Sequence, residues 1–142
     1  FAETNETYKK LAKQFMPGPL TVILPKKDVI PDEVTGGLRT VAVRCPSNPI
    51  ARELIRRSGV PIAAPSANLS GKPSPTCAEH VMQDMDGRIA MVIDGGECEI
   101  GLESTVIAVS GNSANVLRPG AVTPDMLRSA GSRTAKDRSP RA

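Results

Sequence analysis

Small hydroxyl and amide side chains are concentrated in residues 65–76, where the sequence reads PSANLSGKPSPT. An apolar run over residues 60–64 precedes this segment, and a helix-start signal follows it. Proteins of the α/β class place ligands in this order of strand, polar loop and helix. Hydroxyl and amide groups hydrogen-bond a phosphate or carboxylate without steric obstruction, and Gly71 lets the backbone approach closely. The segment therefore predicts a site for an anionic ligand, with an ordinary surface turn as the alternative.

Further polar groups stand at the ends of other predicted strands. Arg44 closes one strand, Arg118 closes another, and Ser104 with Thr105 opens a third. Arginine holds a carboxylate or phosphate with two parallel hydrogen bonds, so these positions also suit an anionic ligand. Catalysis at such a site would come from positioning and charge stabilisation rather than from a covalent intermediate. The alternative for each arginine is a solvated strand end or a surface ion pair.

The sequence lacks the motifs of several other chemistries. It contains no G-x-S-x-G segment, no phosphate-binding G-x-x-x-x-G-K-[ST] loop and one histidine. Asp94 could bind a metal or form a turn with the glycines after it, and Glu103 could support a metal or hold an arginine. The cysteines are far apart, which argues against a zinc site and predicts free thiols in a reducing compartment, hence a cytoplasmic protein. They are Cys45, Cys77 and Cys98.

Hydrophobic periodicity predicts the elements that must position these groups. Predicted strands cover residues 20–24, 40–44, 60–64, 89–93, 104–109 and 115–117, the last two as a hairpin. Predicted helices cover residues 3–16, 49–58, 76–85 and 123–129. Alternating strands and helices followed by a hairpin predict a mixed α/β sheet with helices packed on it.

The second and third predicted helices have start signals and apolar faces. Ser47 is the predicted N-cap of the helix over residues 49–58, and Thr76 with Glu79 forms a predicted capping box for the next helix. The residues expected to be buried on these helices are Ile50, Leu54 and Ile55, and then Val81, Met82 and Met85.

Composition limits the class of protein. A length of 142 residues fits one domain, and the hydrophobic content of 39% and charged content of 23% are ordinary for a globular protein. Aromatic residues make up only 2%, which argues against nucleic-acid recognition by base stacking. The net charge of +3 permits contact with phosphates without requiring it. No apolar run approaches the ~20 residues that span a bilayer, so no membrane association is expected.

Several strings of the sequence, taken together, point to one family. They are FMPGPLT at 15–21, VAVRCP at 41–46, APSANLSG at 64–71, DGG at 94–96, GLESTV at 101–106 and LRPG at 117–120. With these strings in this order, the chain over about residues 1–128 closely resembles the YrdC-like family of threonylcarbamoyl-AMP synthases. The resemblance implies a twisted mixed sheet with flanking helices around a basic concave cleft.

The resemblance also implies an enzyme, a nucleotidyltransferase that joins L-threonine, bicarbonate and ATP into threonylcarbamoyl-AMP and releases pyrophosphate. Its product would feed the threonylcarbamoyl modification of the adenosine beside the anticodon in tRNA. Implied partners are therefore tRNA or double-stranded RNA and the tRNA threonylcarbamoyl-transferase machinery, and Mg²⁺ would accompany the triphosphate. Bicarbonate, the threonine carboxylate and the triphosphate are all anionic, and fixed arginines with backbone donors offset their mutual repulsion.

Roles for individual residues follow from the resemblance position by position. The threonine pocket would be lined by Arg44, Ala64 and Ser104. The nucleotide would contact Thr40, Ser66, Ser74 and Arg118, with Asn68 supporting the same loop. None of these residues is assigned as an acid, a base, a nucleophile or a metal ligand.

The family pattern has a further segment ahead of the position of Phe1, with a Lys/Arg-rich motif and a Ser/Asn motif that complete both pockets. We therefore expect residues 1–128 to form a YrdC-like domain without its N-terminal part. Weak or no synthase activity is expected from these residues alone. Residues 129–142 are expected to be a basic, disordered tail or linker, because they have no apolar face.

Two functions of other classes stay open beside the synthase. One is an RNA-binding module that holds double-stranded RNA or tRNA by its phosphates without catalysis. The other is a carbamoyl-transfer domain of a larger hydrogenase-maturation protein, which contains a related module.

Overall fold

A computed structural model describes residues 1–98 and 101–134, and these residues divide into two units. Unit 1 comprises residues 1–47 together with the chain from residue 102 onwards, and unit 2 is the stretch 48–101 between them. Unit 2 therefore enters the sequence between two strands of the unit 1 sheet.

Unit 1 is built on one mixed sheet of five strands in the order β2-β1-β3-β4-β5. The pairs β1/β2 and β3/β4 are antiparallel, whereas β1/β3 and β4/β5 are parallel. The predicted mixed sheet is confirmed, and the predicted hairpin is the pair β3/β4. The strands are β1 (Leu20–Pro25), β2 (Thr40–Arg44), β3 (Thr105–Ser110), β4 (Ser113–Arg118) and β5 (Arg133–Thr134).

Three of the described helices belong to unit 1, and the other two form the regular secondary structure described in unit 2. They are α1 (Glu6–Phe15), α2 (Asp32–Thr35), α3 (Pro49–Ser58), α4 (Ala78–Met85) and α5 (Pro124–Ser129). The predicted helices are confirmed with small differences at their ends, while α2 lies in a segment predicted as a loop. The short strand β5 lies in the segment predicted to be disordered, and residues 135–142 are outside the described part.

Two predicted helix caps are wrong. Asn48 rather than Ser47 caps α3, and its side chain accepts hydrogen bonds from two backbone amides of the first turn, both at 3.0 Å. The reason is that Pro49 occupies the first helical position, so the cap is the residue directly before it. The capping box of Thr76 and Glu79 does not form, because α4 begins two residues later with Cys77 as its N-cap.

The apolar core of the described chain lies in unit 1. Alternate residues of β1 face α1 and α5 on one side of the sheet, which leaves Thr21 and Ile23 on the opposite side. One face of the sheet is therefore packed, and the other is available for polar side chains. The core consists of Leu11, Phe15, Leu20, Val22, Leu24, Ile107, Ala114, Val122 and Leu127.

Unit 2 does not bury the apolar residues that the sequence predicted to be inside. On α3 and α4, Ile50, Leu54 and Met82 are exposed, and Ile55, Val81 and Met85 are only partly covered. The strands predicted over residues 60–64 and 89–93 are wrong, since neither segment forms a strand. Apolar β-branched residues form a strand only where a neighbour completes the hydrogen-bond ladder, and no described strand pairs with either segment.

Within the described residues, no helix is both long and apolar enough to cross a lipid bilayer.

Candidate functional site

Polar side chains line up across the sheet of unit 1 on the face opposite the core, which we call the polar face. Thr21 on β1 is in register with Arg44 on β2 and with Val106 on β3, and Val106 is in register with Arg118 on β4. Side chains of paired residues project from the same face of a sheet. Because Thr21 alternates with the buried residues of β1, the register places both arginines on the polar face.

A β-bulge gives Arg118 this orientation. The pairing of β3 and β4 shifts between Val106 and Ile107, so that Ile107 pairs with Val116 and Val106 pairs with Arg118. Leu117 is the extra residue, and it is 60% exposed. Without the bulge, Arg118 would lie on the same face as Val116, which packs against the core.

Arg118 holds Ser104 in a fixed orientation. Its Nη2 donates to the Ser104 carbonyl oxygen at 2.8 Å and to Oγ at 3.1 Å, and its Nε donates to the same carbonyl at 3.2 Å. The Ser104 Oγ also lies 2.7 Å from Oγ1 of Thr21, and Ser104 is only 6% exposed. A buried hydroxyl held on two sides has little rotational freedom, which suits a group that must orient a ligand.

Glu103 forms an ion pair with Nη1 of Arg118. Of the two alternatives that the sequence left open for this carboxylate, the structure therefore favours the one in which it holds an arginine. Both side chains are about half exposed, so the pair is screened by water and adds little to stability. Its consequence is local: the guanidinium is neutralised and held in the plane that reaches Ser104.

The turn after β4 packs directly on the start of β3. A Cβ atom on Gly120 would lie 2.5 Å from the carbonyl oxygen of Glu103 and 2.6 Å from the amide nitrogen of Thr105. The Thr105 Oγ1 donates to the Val122 carbonyl at 2.9 Å and accepts from the Val122 amide at 3.0 Å. Only glycine fits at position 120, and this close approach fixes the backbone around Ser104.

Arg44 differs from Arg118 in having no neutralising partner among the described residues. It is exposed at the end of β2, and no side-chain hydrogen bond or ion pair involves it in the part of the chain that the structure describes. Thr40 projects from the same face at the other end of β2, about 13 Å away at the usual rise of a strand. Arg44 is therefore available to a carboxylate beside Thr21, and Thr40 only to a distant part of an extended ligand.

The unit 2 residues predicted to bind ligands lie on or beside one segment, residues 66–74, which we call the serine loop. Ala64 and Ser66 are exposed on backbone without regular structure, and Ser74 is exposed at the other end. Asn68 is partly buried, and its Nδ2 donates to the carbonyl oxygens of Leu69 and of residue 72, both at 2.9 Å. Asn68 therefore holds two carbonyl groups of the serine loop together from inside.

Asp84 on α4 holds the serine loop from outside. Its Oδ1 pairs with Nζ of Lys72, and its Oδ2 accepts from the Leu69 amide at 3.2 Å. The hydrogen bond from Lys72 lowers the pKa of Asp84 more than burial raises it, and the Leu69 amide and nearby Arg88 lower it further. The carboxylate is therefore ionised at neutral pH.

The segment after residue 93 forms a turn. The Gly96 amide donates to Asp94 Oδ1 at 2.8 Å, and the Asn48 side chain donates to the Gly95 carbonyl at 3.3 Å. Of the two alternatives for Asp94, the structure favours the turn. No group of three or more histidine, cysteine, aspartate or glutamate residues suited to a metal occurs within residues 1–98 and 101–134.

The structure brings together part of the predicted site in each unit. In unit 1, Ser104 contacts Arg118, and the sheet register aligns Arg44 with them through Thr21, while Thr40 lies farther along β2. In unit 2, Ala64, Ser66, Asn68 and Ser74 fall on one stretch of chain. The basic concave cleft stays a prediction, as do the ligand roles of these residues.

The sequence analysis missed the roles of Thr21, Lys72 and Asp84. Thr21 had a visible signal, because it is the polar residue in an otherwise apolar strand and must face away from the core. Asp84 had none, since a carboxylate on an amphipathic helix is normally solvated.

Known proteins match the chain over most of its length. The family model Sua5/YciO/YrdC, described as "Telomere recombination", matches residues 1–120. The threonylcarbamoyl-AMP synthase of Bacillus subtilis is 57% identical over 123 residues, which make up 86% of this chain and 36% of that protein. The synthase of Pyrococcus abyssi is 57% identical over 120 residues, covering 84% of this chain and 35% of that protein. The chain thus spans about a third of the length of these relatives.

Solved structures agree with the fold. The crystal structure of Pyrococcus abyssi Sua5 complexed with L-threonine has a TM-score of 0.87 and 51% identity, and the match covers 94% of this chain and 40% of that one. Escherichia coli YciO has a TM-score of 0.76 and 26% identity, covering 87% of this chain and 62% of that one. Because the family model spans more than half of the chain and the fold matches both structures, this chain belongs to the Sua5/YciO/YrdC family.

Proposed function

We propose that this chain provides part of the substrate site of an L-threonylcarbamoyladenylate synthase, which converts L-threonine, bicarbonate and ATP into threonylcarbamoyl-AMP and pyrophosphate. The observation that carries the proposal is the row of Thr21, Arg44, Ser104 and Arg118 on the polar face, in which Arg44 has no neutralising partner among the described residues. Relatives at 57% identity are named for this activity, and one solved relative is a complex with L-threonine.

Threonine would bind at the end of the sheet where this row lies. The guanidinium of Arg44 offers two parallel donors to the amino-acid carboxylate. Ser104, whose hydroxyl is fixed by Arg118 and Thr21, would orient the polar groups of threonine. For Ala64 of unit 2, the proposed role is a contact to threonine through its backbone.

The nucleotide would be held mainly by hydroxyl and amide groups. The serine loop supplies Ser66 and Ser74 with Asn68 supporting them, and β2 supplies Thr40. Arg118 already donates to Ser104 and Glu103, so we propose that it reaches the nucleotide only with its remaining donor capacity. Mg²⁺ would arrive bound to the triphosphate oxygens, which are the hard ligands that it prefers.

These residues would have to bring several negatively charged groups close together. Formation of threonylcarbamoyl-AMP brings bicarbonate, a carboxylate and a triphosphate together, and fixed positive groups offset their repulsion. The register of the sheet already places Arg44 and Arg118 on one face, which suits stabilisation of this kind. The product would pass to the machinery that modifies tRNA, and the free thiols of the three cysteines are compatible with the reducing cytoplasm.

The test is pyrophosphate release by the full-length protein from ATP, L-threonine and bicarbonate. Release that requires all three substrates is expected. Arg44→Ala should abolish the threonine-dependent rate, whereas Arg133→Ala, at the far edge of the sheet, should leave it unchanged.

Other outcomes would identify the other functions. Release that depends on carbamoyl phosphate instead of threonine would contradict the synthase and indicate the carbamoyl-transfer domain. An absence of turnover with salt-sensitive binding of double-stranded RNA would indicate the RNA-binding module. An unchanged rate in Arg44→Ala would remove Arg44 from the site.

A further inference from the structure

We infer that Asp84, which lies outside the predicted site, is a positioning residue that fixes the serine loop for the nucleotide. The inference rests on the proposed function, since it concerns how ATP is held. It is argued from the contacts that Asp84 makes within unit 2.

Asp84 is the buried side chain of α4. It is 9% exposed, whereas Met82 on the same helix is 44% exposed. A buried carboxylate is unfavourable unless its oxygens are paired, and an exposed methionine forgoes hydrophobic stabilisation. Asp84 shares the covered side of the helix with the partly buried Val81 and Met85, so its carboxylate occupies a place that an apolar residue would normally take.

Both carboxylate oxygens of Asp84 hold the serine loop. One pairs with the Lys72 ammonium, and the other accepts from the Leu69 amide at 3.2 Å. Lys72 and Leu69 lie 12 and 15 residues before Asp84 in sequence. The contacts therefore connect a helix to a loop and do not stabilise the helix itself. Two attachment points fix both the position and the rotation of the segment between them.

The segment between these points is closed on itself. Nδ2 of Asn68 bridges two of its carbonyl oxygens, and the Lys72 amide donates to the Leu69 carbonyl at 3.1 Å. Gly71 has a φ of +85°, which the tight turn requires and which other residues rarely adopt. The serine loop thus has a rigid centre over residues 68–72, and Ser66 and Ser74 each stand two residues outside it.

The same contacts define the role of Lys72. Its side chain is 53% exposed and lies beside the proposed nucleotide site in sequence, so it could be taken for a phosphate ligand. In the structure, the Lys72 ammonium instead forms an ion pair with Asp84. The two roles predict opposite effects of removing Asp84: loss of the anchor weakens ATP binding, whereas release of a phosphate ligand strengthens it.

The first experiment measures KM and kcat for ATP in full-length Asp84→Ala, Asp84→Asn and Asp84→Glu. Asp84→Ala should raise the KM for ATP about tenfold or more and leave kcat and the KM for threonine within about twofold, since the loop binds ATP in the ground state. The KM for ATP of Asp84→Asn should lie between those of the wild type and Asp84→Ala. Asp84→Glu keeps a carboxylate and should restore most of the affinity for ATP. Glu79→Gln, which removes a carboxylate from the exposed face of α4, is the control and should change neither constant.

The second experiment uses Lys72→Met, which removes an exposed ammonium and is expected to fold. Its KM for ATP should rise. The double variant with Asp84→Ala should have a KM for ATP no higher than that of Asp84→Ala alone, because both substitutions break the same contact between Lys72 and Asp84. A KM for ATP that is unchanged or lowered in Asp84→Ala would overturn the inference.

A readout without substrates separates this inference from the proposed function. Hydrogen exchange at the Leu69 amide should be faster in Asp84→Ala than in the wild type and unchanged in Glu79→Gln. Unchanged exchange would overturn the anchor even in an active enzyme. Faster exchange in a protein that shows no threonine-dependent turnover would leave the anchor intact and contradict the proposed function alone.

Discussion

Arg118 shows how one side chain can fix the orientation of another. Three of its contacts go to Ser104 and one to Glu103. These contacts use the planar geometry of a guanidinium, in which Nε and Nη2 converge on a single carbonyl oxygen. The residue therefore contributes shape as much as charge, and a lysine at this position would supply only the charge.

Arg118→Lys tests this statement. Lysine cannot donate to the Ser104 carbonyl and hydroxyl at once, so Ser104 should lose its fixed orientation. Hydrogen bonds to charged groups contribute about 1.5–3 kcal/mol, so threonine affinity should fall roughly tenfold to a hundredfold. Isothermal titration with L-threonine measures the effect. Arg133→Lys is the matched control, and equal affinity in both variants would show that only the charge of Arg118 matters.

Gly120→Ala tests the close approach between the turn after β4 and the start of β3. The added methyl group would lie 2.5 Å from a backbone oxygen and 2.6 Å from a backbone nitrogen. Overpacking of this kind costs about 1–3 kcal/mol of unfolding free energy. Urea denaturation should show that loss.

The control for Gly120→Ala is Gly111→Ala. Gly111 has a positive φ but open space around it, so its cost should come from backbone strain alone, about 1 kcal/mol. A smaller loss in Gly120→Ala than in Gly111→Ala would contradict the account.

Most elements of unit 1 could be predicted from sequence, except the short α2 and β5, whereas those of unit 2 could be predicted only in part. β1 and β2 are rich in apolar and β-branched residues and are bounded by turn signals, which identifies both as strands. The bulge in β4 left no comparable signal, because it depends on the pairing with β3. In unit 2, residues 60–64 and 89–93 have strand-like composition without a partner strand, and a sequence window does not show whether a partner exists.

Leucines on two helices test this difference in burial. Leu11 on α1 is fully buried, and Leu54 on α3 is 49% exposed. Leu11→Ala should lower the unfolding free energy by about 2–5 kcal/mol, and Leu54→Ala by less than about 1 kcal/mol. Urea denaturation of both variants measures the two values. Equal losses would show that α3 has a buried face after all.

The contact between α4 and the serine loop should depend on pH. The Lys72 hydrogen bond lowers the pKa of Asp84 below its unfolded value of about 3.9, with help from the Leu69 amide and Arg88 and against the effect of burial. A lowered folded pKa means that the stabilisation is complete above the unfolded value and is lost as pH falls through the folded one.

The chemical shift of the Leu69 amide, followed by NMR during acid titration, measures that transition. Its midpoint should lie below about 3.9 in the wild type and should move upward in Lys72→Met, which removes the largest cause of the lowered pKa. A midpoint at or above the unfolded value in the wild type would show that the ion pair does not form in solution.

At the scale of the whole molecule, the two units differ in the contacts that stabilise them. All the buried apolar residues of the described chain belong to unit 1, which also contains Arg44 and Arg118 in its sheet and Ser104 directly before β3. Unit 2 contributes loops and helices held by polar contacts such as the pair of Lys72 and Asp84. Unit 1, which has the packed core, therefore carries most of the proposed threonine groups, and unit 2 carries the proposed nucleotide loop.

The central claim is that the polar face of the unit 1 sheet binds threonine, and NMR titration with L-threonine tests it most directly. The backbone amides of Thr21, Arg44 and Ser104 should show the largest shifts of the chain, and Arg44→Ala should abolish those shifts while Arg133→Ala preserves them. Saturable shifts confined to other segments, or the same shifts in Arg44→Ala, would contradict the account.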